Sequence, residues 1–239
     1  IGEGSVTGRE CGLSRPAEYF DSLGVGKSVA EKLENLFESN RNWASRVKTS
    51  DPEFFEKLSA QQYPEYLWIC CSDSRVPANQ IVGLLPGEVF VHRNVANIVV
   101  HSDLNCLSVI QYAVDVLHVK HIIVVGHFGC GGVLAAYQNT DNGLADNWLR
   151  NIRDVQFRHQ AELDAIPDEE ARLERLVELN VQTQVSNVCY TTIVQNAWAR
   201  GQALTVHGWV YSLRDGLLQD LGCSVDSAAA LPDAYRIIG

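Results

Sequence analysis

Three metal-loving side chains stand just past the ends of two apolar runs. Tyr66-Leu67-Trp68-Ile69-Cys70-Cys71 leads into Ser72-Asp73-Ser74-Arg75, and His121-Ile122-Ile123-Val124-Val125 leads into Gly126-His127-Phe128-Gly129-Cys130-Gly131-Gly132. Two thiolates and one imidazole are a donor set that zinc prefers, and three protein ligands leave a fourth position for water. The His-x-x-Cys spacing on a glycine-rich turn lets His127 and Cys130 face one ion. Each piece also has an ordinary reading. A strand-end Cys is usually a small buried hydrophobe, and His-x-x-Cys recurs by chance. The glycines do not make a phosphate turn, because Leu134 stands where Gly-x-Gly-x-x-Gly needs its last glycine. Asp73 and Arg75 alone would form a surface ion pair worth at most about 1 kcal/mol. Side chains alternate along a strand, so only one of Cys70 and Cys71 can face the site; the residue pattern leaves both open.

These residues need a scaffold that brings two strand ends together. Short apolar runs at Tyr66–Cys71, 89–91, 121–125 and 203–206 read as buried parallel strands, with a short edge strand near Leu217-Leu218. Helical patterns fall between them, at 103–117, from Gly131, at 145–163, and from Pro167 to about Gly201. Strands alternating with helices predict an α/β fold with a central, mostly parallel sheet flanked by helices. In such sheets ligands bind at the carboxyl ends of the strands, which is where the Cys and His residues stand. Before the sheet, Ser28 and Glu31 read as a capping box opening a helix over 28–48. Its apolar face needs either the core or a partner subunit. Residues 1–24 read as a flexible Gly/Ser-rich arm, and 1–239 as a single domain.

The formal net charge of -10 disfavours nucleic acid and anionic membrane surfaces as partners. No apolar stretch approaches the roughly 20 residues that cross a bilayer. Seven Cys, at 11, 70, 71, 106, 130, 189 and 223, are an odd and scattered set. That pattern argues against a disulfide framework and for a reducing compartment. Cytoplasm is the expected location, with an organelle matrix the alternative if a targeting peptide has been removed.

Taken together, Cys71-x-Asp73-x-Arg75 and His127-x-x-Cys130 resemble the signature of β-class carbonic anhydrases. Pro86-Gly87-Glu88, Arg93-Asn94-Val95-Ala96-Asn97 and His207-Gly208-Trp209-x-Tyr211 extend the resemblance across residues 60–215. It implies one zinc per chain on Cys71, His127 and Cys130, with Cys70 left as a core residue. It implies that Asp73 positions the reacting water, Arg75 fixes Asp73, and Gln62, in the Gln-x-Pro turn before the first strand, orients substrate. Phe90, Val95 and Tyr112 become the apolar wall of a carbon dioxide pocket. The implied reaction is reversible hydration of carbon dioxide to bicarbonate, and the implied assembly a homodimer whose pocket walls come from both subunits. A centre with two thiolates acidifies water less than a tri-histidine one, so activity should rise towards alkaline pH. Some family members close the site by placing the aspartate on zinc; the open form is expected here. Three competing readings share parts of the pattern. They are a hydrolase of a carbon dioxide analogue such as carbon disulfide, a non-catalytic zinc protein, and a thiol redox protein built on Cys70 and Cys71.

Overall fold

The computed structural model describes residues 26–60 and 62–237, and the side chains from residue 33 onward. The expected arm at 1–24 lies outside the described residues. The chain divides into two compact units, 1–60 and 61–239. In the first, α1 (Gly26–Ser50) and α2 (Phe54–Ala60) meet through Trp43 and Phe55, whose rings are 5.6 Å apart and edge-on. Helix α1 already runs through Ser28, so that residue does not stand at its cap, and the side chains of the expected capping box lie outside the described set.

The second unit is built on a five-stranded sheet: β1 (Tyr66–Cys71), β2 (Val89–Asn94), β3 (His121–His127), β4 (Thr205–Tyr211) and β5 (Leu218–Asp220). Their order is β2-β1-β3-β4-β5, with the first four parallel and β5 antiparallel on the edge. That is the mixed α/β sheet the alternation of patterns predicts. Between the strands lie α3 (Ala78–Val82), α4 (Leu104–Gln111), α5 (Gly131–Gln138), α6 (Ala145–Arg158), α7 (Gln160–Asp164), α8 (Glu169–Cys189) and α9 (Thr192–Ala199).

Several boundaries differ from the sequence expectation, each for a local reason. Strand β4 starts at Thr205 and carries the His207-Gly208-Trp209 segment, because its pairing with β3 runs from Thr205 to Tyr211. The 103–117 helix is α4 followed by one π turn at Tyr112–Val116. The helix expected from 167 to 201 is two, since Thr191 accepts from the Val194 N–H and so caps α9. The 145–163 helix is broken at His159, whose backbone leaves the helical region (φ -110°, ψ 18°), into α6 and α7.

Alternation along β1 sorts its side chains between two cores. Leu67, Ile69 and Cys71 join the large core under α4, α8 and α9, whereas Trp68 and Cys70 join a small cluster on the opposite face. Helix α8 lies close against β3 and β4 because both strands offer a glycine to it. A Cβ on Gly126 would come within 2.6 Å of Val181, and one on Gly208 within 2.9 Å of Val185.

Candidate metal centre at the strand ends

Cys71 is the last residue of β1, His127 the last of β3, and Cys130 stands immediately before α5. The two strands are neighbours in the sheet, so their carboxyl ends converge. The donor atoms of Cys71, His127 and Cys130 all lie within 4.8 Å of one another, and all three residues are buried. The sulfurs are 3.9 Å apart. Two sulfurs on one tetrahedral zinc, each at about 2.3 Å, stand about 3.8 Å apart, so the pair already has the right separation. Phe128 O, which can only accept, lies 3.3 Å from Nδ1 of His127. The proton therefore sits on Nδ1, and Nε2 presents a lone pair. That Nε2 is buried without a hydrogen-bond partner. Buried polar atoms are rarely left so; a metal ion among these donors is what it fits.

The electrostatics agree. The two thiols pull one another's acidity in opposite directions, with Cys71 the readier to ionise. The Cys71 thiol is pushed down, chiefly by the Cys130 S–H and further by the Ala96 N–H. Cys130 is pushed the other way by the Cys71 sulfur and by burial. Zinc binding to such a pair displaces the thiol protons.

Asp73 and Arg75 follow β1 on the loop. Arg75 donates from Nε to Oδ1 at 2.9 Å and from Nη2 to Oδ2 at 2.7 Å, a two-pronged grip on both carboxylate oxygens. Its own backbone N–H adds a third bond to Oδ1 at 2.9 Å, and Nη2 reaches Gly129 O at 3.4 Å. The Arg75 guanidinium holds the Asp73 carboxyl far below the usual carboxylate range. Oδ2 of Asp73 stands 3.8 Å from His127 Nε2, so the carboxylate borders the Cys-His-Cys donor group. This is more than a surface ion pair, because one partner is mostly buried and the pair also ties the loop to the Gly129 turn. Arg93 of β2 secures the same loop from below, donating to Cys71 O at 3.0 Å and to Asp73 O at 2.5 Å.

Of the expected pocket wall, Phe90 and Tyr112 come together with ring centroids 5.8 Å apart. Phe90 packs on the same core as Cys71. Val95 is partly exposed beside the start of α5, where a Cβ on Gly132 would meet it at 2.9 Å. Gln62 is exposed just before β1. A cavity of about 280 Å³ opens elsewhere at the site, between Arg75, Cys130 and Val133 on one side and Leu173, Val177 and Leu213 on the other. Sequence reasoning missed that cleft, whose walls come from α5, α8 and the loop after β4.

Two other groupings are set aside by their hydrogen bonding and position. His92, Asp103 and Cys106 also cluster within 4.8 Å. There, however, Asp103 caps α4 through the Asn105 N–H and His92 Nε2 has Asn94 at 3.3 Å, so that nitrogen is not left without a partner as Nε2 of His127 is. Cys70 faces away from Cys71, and burial pushes its thiol up to about 11, which removes the vicinal redox reading.

A Cys-His-Cys donor set at the carboxyl ends of the parallel strands of an open sheet fits an α/β zinc enzyme. The sequence profile of the carbonic anhydrase family matches residues 66–218, and the chain belongs to that family, in its β class. A carbonic anhydrase from Emericella nidulans is 52% identical over 217 residues, covering 91% of this chain and 94% of the relative. A solved tetrameric β-carbonic anhydrase from Sordaria macrospora superimposes with a TM-score of 0.77 at 42% identity, covering 82% of this chain and 99% of that one. The Coccomyxa β-carbonic anhydrase, solved with acetazolamide, gives 0.78 at 43% identity over 82% and 89% of the two chains. The chain is thus a zinc-dependent carbonic anhydrase, and the hydrolase and non-catalytic readings are not favoured.

Proposed function

We propose that Cys71, His127 and Cys130 hold the catalytic zinc, and that Asp73, fixed by Arg75, positions the water that adds to carbon dioxide. The observation that carries this is the unpartnered, buried Nε2 of His127 beside two sulfurs 3.9 Å apart. Zinc supplies Lewis acidity there, lowering the pKa of water and stabilising negative charge on oxygen. The chain supplies the rest. Phe128 O holds the imidazole in the tautomer that leaves Nε2 free to bind. Asp73 is ionised at working pH and accepts a hydrogen bond from the reacting water, which orients the oxygen lone pair towards carbon dioxide. Because both its oxygens are taken by Arg75, Asp73 is kept off the metal, which supports the open form of the site. Phe90, Val95 and Tyr112 offer carbon dioxide an apolar wall, and Gln62 a polar contact for its oxygens.

The working unit is an oligomer. The S. macrospora relative is a tetramer, and α1 presents Leu33, Leu36 and Phe37 exposed along one helix. A dimer is the smallest assembly that would cover such a stripe. A reducing compartment, the cytoplasm first, suits the free state of all six described cysteines.

The test is zinc content and stopped-flow carbon dioxide hydration on the same sample. One zinc per chain with fast turnover, both lost in Cys71→Ala, is the expected result. Zinc without turnover at alkaline pH would overturn the catalytic role, and a parent protein that takes up no zinc would overturn the site itself.

A further inference from the structure

The segment after β2 is pinned along its length by side chains. Trp148 Nε1 donates to Val95 O at 2.8 Å, Asn180 Nδ2 to Ala96 O at 3.0 Å, and Asn187 Nδ2 to Val99 O at 2.9 Å. Val99 N–H donates to Gln184 Oε1 at 2.9 Å, and the Asn94 side chain grips both N–H and C=O of Ile98. Asn180, Gln184 and Asn187 share one face of α8 and bond to one another, Gln184 to Asn180 at 2.9 Å and Asn187 to Gln184 at 3.0 Å. Asn180 and Gln184 are each only 1% exposed. Amides so deep in a core are costly unless fully paired, and this ladder spends its bonds on one short stretch of backbone.

That stretch is unusual. Ala96 and Asn97 both take left-handed conformations, φ 63° and φ 50°, which non-glycine residues adopt only when their surroundings enforce it. The outcome is that the Ala96 N–H points at Cys71 Sγ, 3.3 Å away. Ala96 is therefore held from both sides: Trp148 holds the carbonyl of the peptide that carries the Ala96 N–H, and Asn180 holds the carbonyl of the peptide that follows.

We propose that Asn180, supported by Gln184, is a positioning residue for the metal centre: by holding the Ala96 carbonyl it keeps Ala96 in its left-handed turn, which, with Trp148 on the Val95 carbonyl, keeps the Ala96 N–H on the Cys71 sulfur and sets that sulfur's strength as a ligand. The assignment rests on the zinc reading given above. A hydrogen bond to a metal thiolate withdraws charge from sulfur and fixes its direction, and loss of such outer partners typically costs about 10- to 100-fold in metal affinity.

The test uses the full-length protein loaded with cobalt(II) in place of zinc, followed by its thiolate-to-cobalt absorption band, with zinc affinity measured by chelator competition. Asn180→Ala is expected to move the band to longer wavelength and to weaken zinc binding by about 10- to 100-fold. Gln184→Ala should do the same more weakly. Asn187→Ala, which releases Val99 but leaves Ala96 held, should lower the melting temperature without moving the band. An Asn180→Ala band at the parent position with parent zinc affinity would overturn the assignment, as would an equal band shift in Asn187→Ala. If Asn180→Ala does not fold, Asn180→Asp keeps the size and the acceptor for Gln184, loses the donor to Ala96, and is read by the same two outcomes. A parent protein showing no thiolate-to-cobalt band would instead break the zinc reading.

Discussion

Strand β3 has a histidine at each end, and the two could hardly be used more differently. His121 opens the strand, stacked on Tyr66 at 5.7 Å, with its Nδ1 3.1 Å from His207 Nε2. His207 passes the chain on to Ser224 Oγ at 2.8 Å, so the polar atoms at this end answer one another. His127 closes the strand, six residues later, with Nε2 buried and answered by no protein atom. Both rings sit on the same rigid element, His121 half-buried and His127 fully buried. The difference lies in what surrounds them: a hydrogen-bonding neighbour at the amino end, two sulfurs and a clamped carboxylate at the carboxyl end. Residue type alone therefore does not mark a metal ligand. On the proposed reading, a buried lone pair with no protein partner beside two sulfurs does.

The sharpest way to break this contrast is to truncate each histidine. His127→Ala is expected to lose its zinc and to lower carbon dioxide hydration by more than about 100-fold, since it removes a ligand and not merely a ligand's support. His121→Ala should keep one zinc per chain and hydrate carbon dioxide within about threefold of the parent, because a hydrogen-bonded pair away from the metal contributes only stability. Metal analysis and stopped-flow on both variants decide it. Equal zinc content in the two proteins would remove the distinction between the strand ends.

Arg75→Ala probes the same end one step out from the metal. The proposed zinc donors stay in place, but Asp73 loses both guanidinium bonds and keeps only the backbone N–H of residue 75 on Oδ1. Hydration should fall by about 10- to 100-fold with zinc retained. Arg75→Lys should recover little of that, since an ammonium cannot grip both carboxylate oxygens in one plane. Parent-level turnover in Arg75→Ala would reduce the pair to a surface contact.

Much of the carboxyl-end site was legible because its residues lie close in sequence. Cys71, Asp73 and Arg75 fall on one strand-to-loop turn, and His127 and Cys130 on another. Strand alternation then separates Cys71 from Cys70, which the residue pattern alone left open. The supporting shell was not legible. Asn180 and Gln184 lie more than eighty positions from the segment they hold, and a helix with internal amides reads as a polar face until its packing is known. The left-handed Ala96 was equally hidden, because alanine gives no local hint of that conformation. The helix break at Thr191 was lost for the opposite reason, as apolar periodicity runs on through a cap that only hydrogen bonding reveals, and the one at His159 because it is a backbone kink with no capping residue to announce it.

The amino end of the sheet makes the smallest prediction, and it concerns stability with pH. Burial, followed by the charge of His121, lowers the pKa of His207 below its ordinary value, against a weaker pull from Asp220. Burial likewise lowers that of His92, against Asp103. A histidine with a depressed folded pKa binds its proton more weakly in the folded than in the unfolded chain. Its contribution is therefore fully present above the unfolded pKa of about 6.5 and is lost as pH falls through that value towards the folded one. The urea midpoint should accordingly decline between pH 7 and pH 5. His207→Gln, which keeps a polar group at the position but cannot take up the proton, should decline less steeply over the same interval. Since both proteins retain Cys71, His127 and Cys130, any acid release of metal is common to the two curves, and the difference between them reports the His121–His207 pair. Parallel curves would show that this pair is indifferent to protonation, and the contrast between the two ends of β3 would then rest on the metal site alone.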